Sequence, residues 1–552
     1  MTFPRIDFGR FFTGAFVVWC ILILLGMWVD VMEVDAAQYA GIGREMKENG
    51  SWLEVFERGE DYNSLGNPDK PPLLFWASAA SFILFGENTF TYKLISVLVG
   101  LLGLWSVFQL GRLIYDSRTG KIAAMLYGTS LGFILMMNDV RTDTLLIGWV
   151  AFAAWQLERY FRMKLWSAWF FAFSGIALAM LAKGPLGLIA VAAAFGADAI
   201  LRRDWKRIFR WEWLPGLLVI GIWLLPMLIG LYRQWGWEHG IKYYFWTQSF
   251  GRITGENVWK NDSSPFFFVH TTLWAFLPWS GILVSALIKQ LAEIRRSLTN
   301  ALPGEFIGTA GFLLLFVAMS LSHFKLPHYI YITFPFAALL AADFLADMPG
   351  TGKMFKWLNT FQFTLSLIIL AVVAVVIFWV FPASEIWWVV FVLCLFVIIR
   401  FYLQKSDLLL EITGPSVIAI LLFGLVANAW FYPQLLTFQS SSNAGKWIAT
   451  QELKKGEVGL FQIGEESIHA LDFYAGMTVP AYDSTTQLLS ADSLQWLYTH
   501  PSGIEALKSA GYTTEIVAQW PFFRVTHLNG RFLNPATRAQ TLEKRYIVRI
   551  SR

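Results

Sequence analysis

The chain has 552 residues, of which 56% are hydrophobic, 17% are aromatic and only 15% are charged, and its formal net charge is +4. Soluble domains usually carry about 25% charged residues, so this composition excludes an ordinary soluble protein. The small net charge gives no indication of a nucleic-acid partner, since such proteins present strongly basic surfaces. Cys20 and Cys394 both lie within apolar runs, which argues against a disulfide framework or a cysteine-based metal site.

Apolar runs of roughly 18 residues or more, each long enough to cross a bilayer, recur from the N-terminus to about residue 432. The first run, "FFTGAFVVWCILILLGMWV", is not followed by a small-residue cleavage site, so we interpret it as a retained span. The sequence therefore predicts an all-α polytopic membrane domain with about 13 transmembrane helices. The predicted spans are 11–29, 91–112, 121–138, 143–160, 166–182, 184–201, 213–232, 266–288, 305–322, 327–346, 358–381, 385–403 and 413–432.

The basic residues predict the orientation of these spans, because cytoplasmic loops are enriched in lysine and arginine. Arg5 and Arg10 precede the first span and place the N-terminus in the cytoplasm. Counting from there puts every short basic loop on the same side, including "RRDWKRIFR". The C-terminus then lies outside an inner, or plasma, membrane, together with residues 30–90, residues 233–265 and the segments "MNDVRTD" and "SHFKLPHY".

The chain changes character after the last predicted span. Residues 433–552 mix polar and apolar positions, with "EVGLFQIG" typical of a strand and "EESIHALDFYAG" typical of a helix that follows it. We therefore expect a transmembrane domain over residues 1–432 and a small α/β domain outside the membrane over residues 433–552.

Two stretches stand out in the first outer segment. "VDAAQYAGIGREM" places Asp35, Tyr39, Ile42 and Met46 on one helical face. "KPPLLFWASAASFILFG" is apolar but shorter than a comfortable span, so we predict a helix that lies along the outer interface.

Lys70 stands at the start of this interfacial helix, where Pro71 and Pro72 suit the first turn. A lysine beside the N-terminal amides of a helix forms an anion site at the depth of the lipid headgroups. The alternative is that Lys70 only extends to the headgroups and that Asp69 only caps the helix.

Two aspartates also allow two interpretations. Asp35 and Gln38 fit a capping box, and Asp143 could cap the helix it opens while Arg141 faces headgroups. Both aspartates, however, fall at span edges on the same side, where ionisable groups are costly and favour a functional interpretation. A carboxylate near a cationic site can act as the general base toward an acceptor hydroxyl or amine.

Taken in order, five stretches resemble the signatures of the membrane-embedded glycosyltransferases of the GT-C type. The closest group is the bacterial aminoarabinose transferase and protein O-mannosyltransferase-like superfamily, and the likeness covers about residues 1–345. The stretches are "EVDAAQYAGIGREM", "DKPPLLFW", "VRTDTLL", "LAKGPLGL" and "HFKLPHYIYITFPFAALLAA". The resemblance implies an enzyme that uses a polyprenyl-phosphate sugar as donor and works at the periplasmic face of the inner membrane.

The resemblance also implies roles for single residues. Asp35 and Asp143 match the two acidic positions and are the expected catalytic residues. The expected substrate-binding residues are Lys70 of the K-P-P motif, Arg252 of the long outer loop, Tyr39, Tyr329 after the K-L-P motif, and Lys183. For Lys183, the residues alone also allow a lysine that only extends to the headgroups before the sixth span.

The chain departs from the family pattern at several positions. Gln38 replaces a frequent arginine, Asp69 replaces a glutamate, and Gln248 stands where some members have a metal-binding histidine. No cofactor follows with certainty, and a divalent metal stays open, with candidate histidines at His270, His323 and His328.

These assignments predict a mechanism. Lys70, Arg252 and Lys183 stabilise the charge that grows on the lipid phosphate as the sugar bond breaks, and Asp35 takes the proton of the attacking group, with inversion at the sugar carbon. The partners are the lipid-linked donor, membrane lipids and an acceptor that is a lipid A-like lipid, a protein or a glycan. The alternatives are a flippase or transporter of lipid-linked sugars, and a non-catalytic subunit of an envelope assembly.

The orientation can be tested with fused reporters. A reporter that is active only outside the cytoplasm should work when it is fused after residue 432 and fail when it is fused near Arg207. Alkaline phosphatase activity in whole cells measures this. The opposite pattern would contradict the assignment of the site residues to the outer face.

Overall fold

The computed structural model describes residues 7–64, 67–68, 70–248, 251, 261, 263–296, 304–403, 407–489 and 493–551. The described chain is mostly helical as far as residue 450, and a small mixed sheet follows. The architecture predicted from the sequence is present: a polytopic helical domain with a small C-terminal sheet region.

Helices of very different lengths build the larger part. The helices before residue 250 are α1 Phe8–Gly26, α2 Asp35–Asn49, α3 Leu73–Phe85, α4 Thr89–Ile114, α5 Ser117–Gly128, α6 Leu131–Asn138, α7 Thr142–Met163, α8 Trp166–Lys183, α9 Leu186–Leu201, α10 Trp205–Ile208 and α11 Trp213–Gly236, with a π-helical segment at Trp237–Thr247. The helices from there to residue 436 are α12 Phe267–Ala275, α13 Ser280–Arg296, α14 Ile307–Ser320, α15 Phe334–Ala346, α16 Lys353–Val375, α17 Glu385–Leu403, α18 Leu408–Val426 and α19 Tyr432–Leu436. Shorter segments are the 3₁₀ helix Pro327–Thr333, the π-helical turns Val376–Val380 and Ala427–Phe431, and the paired strands β1 Phe56–Glu57, β2 Glu60–Asp61, β3 Asn63–Ser64 and β4 Asn67–Pro68.

Every predicted span coincides with a helix or with a pair of helices. In the described chain, eight helices are long and apolar enough to cross a membrane, or up to nine if α5 and α6, which meet at 59°, form one span. The other predicted spans are the shorter apolar helices α9 and α14, the more polar α7, and the region of α12 and α13, where the helix is interrupted between residues 275 and 280. These spans and the relatives described below support a multi-pass inner-membrane protein.

The junction of α8 and α9 illustrates how the sequence sets a helix end. Gly184 has a φ of +81°, a conformation that glycine adopts at little cost, and its N–H donates to the carbonyl of Met180 as α8 ends. Pro185 then starts α9, where its missing N–H costs little. This junction leaves Lys183 in the last turn of α8.

Helix α2 begins at Asp35 but is not capped as the sequence suggested. Val34 occupies the N-cap position and contributes no side-chain hydrogen bond. The alternative of a capping box is therefore wrong, because both of its members have tertiary partners: Gln38 donates to Glu57 (2.7 Å), and Asp35 pairs with an arginine described below. Further along α2, a Cβ at Gly43 would lie 2.8 Å from Cβ of Ser78, so glycine permits the close approach of α3.

The C-terminal part contains a five-stranded sheet with the order β6-β5-β7-β9-β8. Its strands are β5 Val458–Phe461, β6 Ala481–Tyr482, β7 Trp496–Thr499, β8 Thr513–Phe522 and β9 Glu543–Ser551, and its helices include α20 Ser440–Thr450, α21 His469–Ala475, α22 Thr485–Leu488, α23 Pro501–Ser509, α24 Gly530–Leu533 and α25 Pro535–Arg538. Strand β5 is parallel to β6 and β7, whereas β9 is antiparallel to β7 and β8. The predicted strand "EVGLFQIG" contains β5, and the predicted helix after it contains α21.

Helix α2 is attached to this C-terminal part by a buried arginine. The Arg44 guanidinium, whose side chain is only 2% exposed, donates to the carbonyls of Asp472 and Phe473 (both 2.7 Å) and pairs with Glu87. These carbonyls lie near the C-terminal end of α21, where the helix dipole favours a cation. Arg58 adds an ion pair with Asp472. The C-terminal part therefore fixes the position of α2.

A buried carboxyl lies in the same contact region. Glu33 precedes α2, is 6% exposed, and accepts a hydrogen bond from the backbone N–H of Ala470 (2.8 Å). Burial raises the pKa of Glu33 to about 8. The protonated form is thus favoured in the folded protein at neutral pH.

Replacing Glu33 with glutamine should weaken the pH dependence of stability. Because the pKa of Glu33 is raised from its ordinary 4.5 to about 8 in the folded state, the unfolded chain releases this proton first, and stability falls as pH rises between those values. Glu33→Gln removes this titration. As pH rises from 4.5 to about 8, the free energy of unfolding of the variant should therefore fall less than that of wild type, by on the order of 1 to 3 kcal/mol. Thermal unfolding of the detergent-solubilised protein at a fixed scan rate measures it.

The exposed Glu505 in α23 provides the control, because Glu505→Gln should leave the pH dependence unchanged. If the unfolding temperature of wild type and of Glu33→Gln falls equally as pH rises, the prediction is contradicted.

Candidate active site

A polar cavity of about 190 Å³ lies where several helix ends meet. Its lining comprises Asp35, Tyr39, Lys70, Arg141, Thr142, Asp143, Lys183, Phe324, Leu326, His328 and Tyr329. It contains all the site residues expected from the sequence except Arg252, which lies outside the described residues. Residues separated by almost 300 positions in the chain therefore converge on one space.

Each cavity residue sits at the end of an element. Asp35 and Tyr39 come from the first turns of α2, and Lys70 lies just before Pro71, Pro72 and the start of α3. Asp143 lies in the first turn of α7, whereas Lys183 lies in the last turn of α8. The ends of apolar helices are where polar side chains can be placed without entering hydrocarbon.

Asp143 is engaged in a buried ion pair. Its side chain is 5% exposed and accepts a hydrogen bond from the Lys183 ammonium at 2.5 Å. Nε2 of His328 lies 3.7 Å from its other oxygen. The N-cap position of α7 is Arg141, so the interpretation of Asp143 as a cap is wrong. The Asp143 carboxylate instead pairs with side chains from other elements, because these contacts compensate the cost of removing its charge from water.

Lys183 does not extend to solvent as an isolated interface lysine. Its side chain is 13% exposed, and its ammonium lies over the ring of Tyr329, 4.0 Å from the centroid. A cation over an aromatic face gains electrostatic stabilisation, and more so when it is partly desolvated. The alternative in which Lys183 only reaches the headgroups is therefore wrong, and Tyr329 holds the lysine in the cavity.

Asp35 is in a different environment. Its side chain is 46% exposed, and its Oδ2 accepts a hydrogen bond from Arg141 at 2.8 Å. Arg141 also pairs with Asp139, so it joins two carboxylates instead of facing the headgroups. In the described part of the chain, Oδ1 of Asp35 accepts no hydrogen bond. Of the two expected catalytic carboxylates, Asp35 is the more exposed.

Tyr39 and Lys70 form another part of the wall. Tyr39 is 4% exposed, and its ring packs against Phe75 at a centroid distance of 5.7 Å. Lys70 is half-buried at the approach to α3, as expected for a lysine beside a helix N-terminus. Asp69, the alternative cap, lies outside the described residues. The charged lining thus consists of two aspartates, two lysines and Arg141.

The sequence reasoning assigned other roles to two cavity residues. Arg141, which it placed toward the headgroups, and His328, which it named only as a candidate metal ligand, line the cavity and contact the aspartates. Tyr243 and Tyr244 of the π-helical segment are buried, and neither lines this cavity. Tyr244 instead donates to the carbonyl of Met180 at 3.0 Å.

The candidate histidines do not form a cluster. Among them only His328 lines the cavity, and the described residues contain no group of three or more histidines, cysteines, aspartates or glutamates that could hold a metal ion. Residues 252–260 of the long loop are outside the described residues. The described residues therefore add no metal ligand to the three histidines named from the sequence.

Comparisons with known proteins agree with the fold and the class. Residues 69–229 match the family described as dolichyl-phosphate-mannose-protein mannosyltransferase. The chain is 25% identical over 452 residues to an uncharacterized protein of Aquifex aeolicus (strain VF5), covering 80% of this chain and 82% of that one. It is 27% identical over 354 residues to the undecaprenyl phosphate-alpha-4-amino-4-deoxy-L-arabinose arabinosyl transferase of Edwardsiella ictaluri (strain 93-146), covering 62% of this chain.

The similarity to that transferase is partial, since the chain spans 60% of its length. The structural similarity extends further. The crystal structure of ArnT from Cupriavidus metallidurans bound to undecaprenyl phosphate superimposes with a TM-score of 0.73 at 18% identity, covering 98% of this chain and 97% of that one. The resemblance predicted from the ordered motifs is thus confirmed: the chain has the fold of the GT-C type membrane glycosyltransferases and resembles the aminoarabinose transferases.

Proposed function

We propose that the protein transfers a sugar from a polyprenyl-phosphate donor to an envelope acceptor at the outer face of the inner membrane. The observation that carries this proposal is the half-exposed carboxylate of Asp35, which shares one cavity with Lys70 and Lys183. Such a cavity offers a base for the acceptor and cations for the leaving phosphate. Similarity to an undecaprenyl phosphate-dependent arabinosyl transferase and to a structure bound to undecaprenyl phosphate supports this donor class.

The reaction needs two complementary charges. The acceptor hydroxyl attacks the sugar carbon, its proton passes to Asp35, and the electron pair of the broken C–O bond leaves with the lipid phosphate. Lys70 and Lys183, together with Arg252, stabilise the negative charge that accumulates on that phosphate. Attack opposite the leaving group inverts the configuration at the sugar carbon.

The two aspartates then have different roles. Asp35 is the catalytic residue, since it is exposed to the cavity and one of its oxygens is available. Asp143 is a positioning residue, because its buried carboxylate holds the Lys183 ammonium and contacts His328. This division refines the expectation that both aspartates are catalytic.

The acceptor is an envelope lipid such as a lipid A-like molecule, a protein or a glycan, each of which carries a suitable nucleophile. Residues 1–432 form the catalytic domain in this proposal, and residues 433–552 form an outer domain that holds α2. A flippase is less well supported, because transporters place polar groups near mid-membrane on broken helices, whereas these charges gather at helix ends.

Replacing Asp35 with asparagine should abolish transfer while leaving the fold and donor binding intact. A general base contributes about a hundredfold to ten-thousandfold in rate, and asparagine keeps the shape but cannot take the proton. Mass spectrometry of envelope lipids and glycoproteins, from cells with and without the chain, identifies the sugar-bearing product. Complementation with Asp35→Asn should not restore that product.

Two controls separate chemistry from binding. Glu60→Gln changes an exposed carboxylate of the same outer segment and should restore the product. Purified Asp35→Asn should still bind undecaprenyl phosphate, whereas Lys70→Ala should bind it weakly. Normal product formation by Asp35→Asn would show that Asp35 is not the base.

Replacing Asp143 with asparagine should tighten the binding of undecaprenyl phosphate by about tenfold, a gain of roughly 1.4 kcal/mol, since part of the attraction between Lys183 and Asp143 becomes available to the phosphate. The substitution leaves Lys183 as an uncompensated cation beside the phosphate. Lys183→Met should have the opposite effect. Titration of detergent-solubilised protein with the lipid phosphate measures both affinities, and an unchanged affinity in Asp143→Asn would contradict the positioning role.

A further inference from the structure

A second cavity lies at the other end of the first helices, away from the candidate active site. It has a volume of about 300 Å³ and is bounded by α1, α4 and α5. Its lining is Phe12, Ala15, Phe16, Trp19, Leu101, Leu104, Trp105, Phe108, Lys121, Ala124, Met125, Gly128 and Thr129. We refer to these residues as the inner groove. Interior voids larger than a water molecule are few in folded proteins, and a space of this size has room for a ligand.

The inner groove has the shape of a slot along the helices. Its lining spans residues 12–19 of α1, 101–108 of α4 and 121–128 of α5, ending at Thr129. At 1.5 Å per residue, each helix contributes a wall about 10 Å long. The N-terminus of α1, the C-terminus of α4 and the N-terminus of α5 meet at one mouth of this slot.

Fixed contacts keep the floor of the groove open. The indole Nε1 of Trp19, a side chain only 3% exposed, donates to the carbonyl of Gly128 at 2.8 Å. Phe16 stacks on Trp19 with an interplanar angle of 10°. Phe16 and Trp105, which form the outer edges, are 41% and 51% exposed. The slot therefore has a rigid floor and opens sideways, toward the position of the bilayer.

Lys121 is the one charged residue among the lining residues. It is half-buried, and within the described part of the chain its ammonium makes no hydrogen bond or ion pair. The neighbouring Arg118 has a partner, since it pairs with Asp407. An ammonium without a counterion at the mouth of an apolar slot complements a ligand with a long apolar body and one negative charge.

We propose that the inner groove binds one anionic phospholipid, with an acyl chain in the slot and its phosphate on the Lys121 ammonium. The basic mouth lies on the side where the sequence predicts the cytoplasm, and anionic headgroups near such a surface attract lysine. This site is separate from the cavity of the candidate active site, whose residues belong to other helix ends. The site would hold the inner half of α1, α4 and α5 together.

Lipid retention measured by native mass spectrometry tests the proposal. The full chain is reconstituted into nanodiscs of either phosphatidylglycerol or phosphatidylcholine with the same acyl chains, and then released into detergent. Wild type should retain one phosphatidylglycerol more strongly than phosphatidylcholine. Lys121→Gln should reduce this retention about fivefold, the effect of one lysine near an anionic lipid surface, whereas Lys121→Arg should keep it.

Filling the slot tests the apolar half of the site. Ala124 is 5% exposed on the floor, and Ala124→Phe should displace the lipid while Lys121 remains. Ala15→Phe fills the slot from α1 and replaces this variant if Ala124→Phe does not fold. Lys206→Gln, an exposed lysine in α10, is the matched control and should retain the lipid.

Three outcomes would overturn the proposal. Equal retention of the two lipids by wild type would remove the claim for an anionic headgroup. A reduction of phosphatidylglycerol retention in Lys121→Gln no greater than that in Lys206→Gln would exclude Lys121 as the headgroup ligand. Undiminished retention in a folded slot-filling variant would place the lipid elsewhere.

Discussion

The need to compensate every charge near hydrocarbon governs the arrangement of this protein. An ionised group that leaves water without a partner costs several kcal/mol, even after relaxation. Lys183 meets this constraint through Asp143 and the face of Tyr329. Fully buried Lys93 meets it differently, by donating to the carbonyls of Gly26 and Val29 at the C-terminal end of α1. Because each charge requires a partner from a distant element, the ion pairs also decide which helix ends meet.

The same constraint creates an asymmetry within the candidate active site. Two aspartates face one cavity, but Asp143 is buried between Lys183 and His328, whereas Asp35 is half-exposed and has Arg141 on a single oxygen. Arg141 itself is held by Asp139 from the same loop. In the proposed function, two similar residues thereby take different roles because of their surroundings, without any change in side-chain chemistry. Sequence alone does not distinguish them, because both residues stand at helix starts.

The sequence was informative where the physics is local. Long apolar runs identify membrane helices because hydrocarbon excludes polar side chains, and every predicted span coincides with helical structure. Ordered motifs also identified most residues of the cavity. Local rules failed where a tertiary partner competed with them: the capping roles expected for Asp35 and Asp143 were displaced by Arg141 and Lys183, which lie 106 and 40 positions away. No pattern within one segment reveals such partners.

Interruptions within spans were missed for a related reason. Residues 121–138 are uniformly apolar enough for one helix, yet α5 and α6 meet at 59°. The backbone N–H of Leu131, at the start of α6, donates to the carbonyl of Leu277, in the interruption between α12 and α13. Two irregular segments therefore satisfy each other's backbone polar groups, which is the condition for non-helical backbone at membrane depth. A hydropathy average over residues 121–138 does not detect the bend, because it contains no information about the hydrogen bond between Leu131 and Leu277.

The attachment of α2 to the C-terminal part has a consequence for how the enzyme is made. Arg44 and Arg58 take acceptors from residues 472–479, which the ribosome synthesises more than 400 positions later. Until that segment has been synthesised, Arg44 keeps only Glu87 among these partners, and Asp35 stands on a helix without its C-terminal contacts. A chain truncated before residue 472 therefore lacks the contacts that hold α2, and with it the carboxylate proposed as the base.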